Sequence, residues 1–185
     1  MSTSSRKRSA PPAETTARRG LSRETKFLAI FLALLGGGFT LMSLNQVNDA
    51  FVVPFTSLVA KASGWALDFI GQDIVMRGTQ IHSPRFAVDV QNGCNGLETV
   101  LIFVSAVLAF PASWKARAAG LALGLVAIQF VNLIRVVALF LTGVYFPAFF
   151  DSSHTVVWQS IVILFGVLLW MFWANRFATS TTKVA

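Results

Sequence analysis

Residues 51–70 read FVVPFTSLVAKASGWALDFI, and the number of membrane crossings in this chain turns on whether the segment is one of them. Its polar positions, Ser57, Lys61, Gly64 and Asp68, recur in steps of three and four, so on a helix they form one narrow stripe. Phe51, Phe55, Leu58, Val59, Ala62, Trp65, Ala66 and Phe69 line the other face. A helix divided in this way is expected to lie in the plane of a membrane interface. As a crossing it would bury Lys61 near mid-bilayer, at a cost of roughly 2.5 kcal/mol or more.

Four runs on either side make better spans. Phe27 to Leu44 is unbroken apolar sequence near the roughly 20 residues a spanning helix needs, and no A-x-A-like cleavage site follows it cleanly, so a retained anchor is expected. A second span runs from Asn92 or Gly96 to Phe110, where Pro111 ends it. A third covers Ala118 to about Tyr145, broken in polarity only by Gln129, Asn132, Arg135 and Thr142, and a fourth covers about Thr155 to Trp173. Trp114, Trp158, Trp170, Trp173 and Tyr145 fall near span ends as an aromatic belt, and Gly36-Gly37-Gly38 is expected to permit close helix packing. Between the interfacial helix and the second span, Asp73 to Val90 carries Gly78, the turn pair Ser83-Pro84 and alternation at Phe86, Val88 and Val90, which predicts a small β-hairpin.

The expected fold is an all-α polytopic membrane protein: about four transmembrane helices, an extracytoplasmic interfacial amphipathic helix and a small β-hairpin. Residues 27–175 form the membrane-embedded domain, with 45–92 extracytoplasmic. Residues 1–26, rich in Ser, Thr, Pro and basic side chains, form a disordered cytoplasmic tail, and 176–185 a second one.

Composition agrees with that class. Of 185 residues, 55% are hydrophobic and 12% charged, about half the charged fraction of a soluble domain. The net charge of +7 is better explained by asymmetry across a bilayer than by nucleic acid. The four-span reading puts seven basic residues of the N-terminal tail, Lys115, Arg117, Arg176 and Lys183 on one side, and leaves Lys61, Arg77 and Arg85 on the other. The positive-inside rule then places both termini in the cytoplasm. The single cysteine excludes an internal disulfide, and there is no paired CxxC zinc cluster. No metal or cofactor is expected.

Three residues at the outer ends of successive spans carry the chemistry. Cys94 stands in Asn92-Gly93-Cys94-Asn95-Gly96-Leu97-Glu98 at the start of the second span. If Asn92 caps this helix, the thiol lies in its first turn, where free N–H groups favour a thiolate; if Asn95 caps it, Asn95 and Glu98 have capping-box spacing. Most membrane cysteines are inert packing residues inside apolar runs, but this one sits in a Gly- and Asn-rich turn. Arg135 lies about one turn or more below the outer end of the third span, where a guanidinium needs a partner: Glu98, Asp151 or a thiolate. The alternative is an arginine reaching outward to the headgroups. Gln129 and Asn132 share its polar seam. His154 falls in the first turn of the fourth span, with Asp151 or Ser152 to cap it. A lone histidine at a helix start is more often structural, and only its common depth with Cys94 and Arg135 sets it apart. Glu98 is a cap, a partner for Arg135 or a substrate contact; His82 is read as a surface residue of the hairpin.

The pieces Asn92 to Glu98, Asn132-Leu133-Ile134-Arg135-Val136-Val137, and Tyr145-Phe146-Pro147 to His154 occur in the order and spacing of the exosortase/archaeosortase family, and the chain most resembles its short form, exosortase H. The resemblance covers roughly Phe27 to Trp173. It implies a membrane-embedded cysteine protease and transpeptidase of the bacterial inner membrane. Its partners would be exported proteins whose C-terminal sorting signal has a short motif, an apolar helix and a basic tail. On that analogy Cys94 attacks the peptide bond and forms an acyl-enzyme, His154 is the general acid/base and Arg135 stabilises charge, with Asn92, Asn95, Glu98 and Asn132 in support. The residues alone also admit a noncatalytic scaffold or small transporter with a polar seam at Arg135, or a thiol enzyme acting on lipids; a transporter would more typically show internal repeats or paired broken helices.

Overall fold

A computed structural model describes residues 22–178 of the chain. Helix α1, Arg23–Met42, begins where the Ser22 hydroxyl accepts the Thr25 N–H at 3.2 Å. After Ser43 and Leu44, α2 (Asn45–Val47), a π-helical turn (Asn48–Val52) and α3 (Val53–Phe69) follow as one helical run. Strands β1 (Val75–Arg77), β2 (Gln80–His82) and β3 (Ala87–Asp89) then form an antiparallel sheet in the order β1-β2-β3. The predicted hairpin is therefore a three-stranded meander. Gly78, at φ 64°, makes its first turn, and the Ser83 hydroxyl, accepting the Arg85 and Phe86 N–H groups at 3.3 and 3.2 Å, closes the second.

Helix α4 covers Leu97–Ala109 and stops at extended Phe110 before Pro111. Ser113 starts α5, Trp114–Tyr145, by accepting the Ala116 N–H at 3.3 Å. A 3₁₀ turn (Pro147–Phe149), α6 (Phe150–Ser152), a π-helical turn (Ser153–Trp158), α7 (Gln159–Trp173) and a last π turn (Ala174–Ala178) complete the described chain. The tail predicted over 1–26 lies outside the described residues up to residue 21, and its end is the first turn of α1. Of the second tail, only the residues up to 178 are described.

Four helical stretches are long and apolar enough to cross a membrane: Arg23–Met42, Asn45–Phe69, Trp114–Tyr145 and Val156–Arg176. The chain is a multi-pass membrane protein. Their membership differs in part from the sequence reading. Asn45–Val52 joins the segment predicted to lie flat, giving a run of 25 residues. For the second span the later of the two predicted starts holds: α4 has 13 residues, about 20 Å, because the turn before it stays non-helical, with Gly93 and Gly96 at φ 88° and 79°.

The packing falls into two layers along α5. Near Trp114, helices α1, α4, α5 and α7 form a bundle around Phe103, Val107, Ile128 and Trp173. Small residues let the helices approach: a Cβ on Gly124 would strike the Phe103 ring, and one on Gly120 the Trp173 indole. Of the predicted glycine triplet only Gly38 is packed, against Leu101. Toward Tyr145, α3 and the sheet pack on the rest of α5 around Val59, Ala60, Leu67, Ile81, Val136 and Phe140. Helix α3 rises with α5, because Leu58 and Ala62 share a cavity with Gln129 and Leu133 while Gln72 reaches the Tyr145 hydroxyl at 3.5 Å. Its inward face is small and mixed, with Thr56, Ser63 and Gly64 beside Val59 and Leu67. The bulky face points away from the protein: Trp65 is 78% and Phe69 91% exposed. Gly124→Val should lower the thermal stability of detergent-solubilised protein by about 1–3 kcal/mol, while Gly37→Ala, whose Cβ meets nothing within 4 Å, should leave the melting midpoint within error.

Candidate active site

The turn Gln91–Gly96 lies where the two layers meet. Its first bend is closed by the Cys94 N–H donating to the Gln91 carbonyl at 2.9 Å. Gly96 must be glycine on two counts: its φ is left-handed, and a Cβ there would stand 3.0 Å from Asn132 Cγ and 3.1 Å from Gln129 Nε2. Helix α4 thus starts after Cys94, so the cysteine is not in its first turn. Asn95 Oδ1 accepts the Leu97 N–H at 3.0 Å, a cap of the entering turn. Glu98 does not share a helix face with the cysteine; Gln159 Nε2 donates to its Oε2 at 3.5 Å.

The turn is fastened on every side. Asn92 Nδ2 donates to Asn48 Oδ1 at 3.0 Å, and Asn95 Nδ2 donates to the buried Thr56 hydroxyl at 2.8 Å. From α5, Asn132 Nδ2 donates to the Cys94 carbonyl at 3.1 Å and Arg135 Nη1 to the Gly93 carbonyl at 3.1 Å. Asn132 and Arg135 are 0% and 2% exposed, which rules out an arginine reaching the headgroups. Its second nitrogen, Nη2, lies 3.8 Å from Cys94 Sγ. On the other side, His154 Nε2 is 2.8 Å from the same sulfur. The histidine sits in the π-helical turn between α6 and α7, and the Phe150 ring lies parallel to the imidazole, centroids 5.9 Å apart. An extra residue in such a turn resets which side chains face inward, and these turns recur at functional sites.

The structure therefore brings together Cys94, Arg135 and His154, with Asn95 and Asn132 buried beneath them, Asn92 at the rim and Glu98 in the first turn of α4 with its carboxylate beside Gly93. Sequence reading missed Asn48, Thr56 and Gln159, whose partners are 44, 39 and 61 residues away; no local pattern marks them. His82 does stay apart, in β2, with Gln80 Oε1 3.0 Å from its Nε2. Among the described residues no group of three His, Cys, Asp or Glu side chains is placed to hold a metal.

The arrangement suits a thiol nucleophile with an adjacent base and a fixed cation. Burial pushes the Cys94 thiol above its ordinary pKa, and the Arg135 charge pulls against that without cancelling it. Burial thus favours the thiol over the thiolate, and the imidazole 2.8 Å away stands where a base could take its proton. Alkylation of Cys94 by a small neutral reagent should keep rising with pH beyond the range where an exposed cysteine levels off. Arg135→Ala should move that curve further to alkaline pH, since it removes the group that lowers the thiol. An alkylation rate already level at neutral pH would contradict this ordering.

Asn132 lies about 27 Å and Arg135 about 32 Å along α5 from Trp114, at 1.5 Å per residue, which matches a hydrocarbon core of about 30 Å. The site is therefore one bilayer thickness from the Trp114 end of the bundle. No curated protein and no solved structure matches the chain. A family model described as transmembrane exosortase matches residues 21–174, a stretch that takes in the Cys94 turn, α5 and the His154 turn together, and the chain belongs to that family.

Proposed function

We propose that this protein is a cysteine transpeptidase of the bacterial inner membrane that cleaves the C-terminal sorting signal of exported proteins, with its active site at the periplasmic face. The observation that carries the reading is the sulfur of Cys94 placed 2.8 Å from His154 Nε2 and 3.8 Å from Arg135 Nη2. His154 takes the thiol proton as Sγ attacks the carbonyl carbon of the scissile peptide. Arg135, pinned through Nη1 by the Gly93 carbonyl, directs Nη2 at the sulfur and steadies the negative charge that passes from thiolate to oxyanion. The imidazolium returns its proton to the leaving amine, and a thioester on Cys94 remains. An acceptor amine or water then attacks the thioester, gives its proton to His154 and releases the sulfur. Asn132 and Asn95 keep the turn still while this happens, through the Cys94 carbonyl and Thr56.

The orientation rests on charge. With Lys115 and Arg117 at one end of α5 and the cysteine one bilayer away, the positive-inside rule puts both termini in the cytoplasm and Cys94 outside. On this reading α1, α5 and α7 cross together with the shorter α4, and α3 lies against the outer part of α5. Co-expression with an exported protein bearing an apolar C-terminal helix and basic tail should yield a shortened product. A thiol reagent that permeates only the outer membrane should label Cys94 in intact cells. Labelling only after the inner membrane is permeabilised would place the site on the wrong side.

A further inference from the structure

Helix α1 packs along α4 and meets α7 at the Phe27 end, where the Phe27 and Trp170 rings stack with centroids 5.8 Å apart. Beside this aromatic plug the two helices flank an apolar groove floored by α4, with a cavity of about 240 Å³ lined by Phe31, Ile102, Ala106, Val167 and Trp170 among others. No residue of α1 is buried, and a Cβ on Gly36 or Gly37 would meet nothing within 4 Å.

The seam between α4 and α7 leads from this cavity to the site. Gly166 sits against Thr99, Gln159 reaches Glu98, and His154 then faces Cys94. From Trp170 to His154 the path is about 24 Å at 1.5 Å per residue, most of a hydrocarbon core. An acyl chain occupies one leaflet, about half that core, and does not reach from the cysteine to the cavity. A membrane-spanning helix does.

We propose that the groove between α1 and α7 receives the apolar helix of the sorting signal, so that the peptide entering that helix is delivered to Cys94 Sγ. This rests on the transpeptidase reading for the identity of the occupant. Bulky side chains of the substrate helix fill the cavity beside Val167, and the depth of the aromatic plug sets how far the helix slides before its outer end meets the thiol.

Because Cys94 is the chain's one cysteine, Cys94→Ala gives a cysteine-free background that holds substrate uncut. Val167→Cys in that background should form an oxidative cross-link with a cysteine placed mid-way along the helix of a reporter fused to an apolar C-terminal helix and basic tail. Phe130→Cys, on the α3 side of α5, should not. With Cys94 present, Val167→Trp should fill the cavity and reduce processing at least tenfold, with Cys94 alkylation by a small reagent unchanged. A cross-link at residue 130 and none at 167, a Val167→Cys cross-link only to a second copy of the chain, or full processing by Val167→Trp would each overturn the proposal. A Val167→Cys cross-link alongside a wild-type enzyme that leaves the reporter intact would support the docking surface and overturn the catalytic reading instead.

Discussion

Cys94→Ala leaves a co-expressed substrate at full length, with processing lowered at least about 10³-fold, because the account has no other nucleophile to offer. Cys94→Ser is expected to fare little better. A hydroxyl is far harder to ionise than a thiol, and a site where burial already opposes charge on the sulfur gives it no help. Both variants should insert normally. The turn is held by the Gly93 and Cys94 carbonyls and by Asn95, none of which involves the cysteine side chain. Full-length substrate beside undiminished enzyme, read on one immunoblot, is the expected pattern; normal processing by Cys94→Ala would remove the cysteine from the mechanism.

The second large effect is at His154. Removing a general acid/base costs about 10²–10⁴-fold, and the loss here should lie toward the upper end because burial opposes ionisation of the thiol. His154→Ala should also slow alkylation of Cys94 near neutral pH, since on the proposed mechanism the imidazole 2.8 Å away assists ionisation. Raising the pH should restore part of that alkylation, and added imidazole part of the processing, because each replaces the missing base. Any thiol would show the pH response, but a merely structural histidine would not give the rescue by imidazole. Phe150, stacked on the ring, belongs to the same unit. Its replacement by Ala should reduce processing less than loss of the imidazole does.

Much of this candidate site is legible in the sequence because Cys94 and Arg135 stand out against their local pattern and His154 shares their depth. Cys94 interrupts an apolar chain inside a glycine-rich turn, Arg135 interrupts a spanning helix, and His154 opens another. Their meeting also follows from connectivity, since short helices joined in series return to the same depth. The fold class is legible for the same reason: long apolar runs leave the chain little else to do than cross a membrane.

What the sequence conceals is local geometry and long-range fastening. Of the two starts the sequence offers for α4, Asn92 and Gly96, the later one holds because Gly93 and Gly96 adopt left-handed conformations, and a glycine does not announce which conformation it will take. That leaves the thiol outside the helix. On sequence, the polar stripe of residues 51–70 marks one face of an interfacial helix. In the structure its Gly64 packs against Met76, Thr56 and Ser63 join the buried face, and Lys61 and Asp68 stay exposed. Periodicity finds the stripe but does not say that a sheet will cover part of it. Thr56 supports the cysteine turn from 39 residues away, a pairing that only the folded chain creates.

The central claim is that Cys94 becomes acylated by the substrate, and intact mass measurement of enzyme recovered from cells with excess substrate tests it most directly. The account expects an added mass equal to the upstream part of the substrate, borne on Cys94, accumulating when the acceptor is scarce and released by hydroxylamine as a thioester is. Processed substrate produced at the normal rate while Cys94 is irreversibly alkylated, with no hydroxylamine-sensitive adduct at any stage, would contradict it.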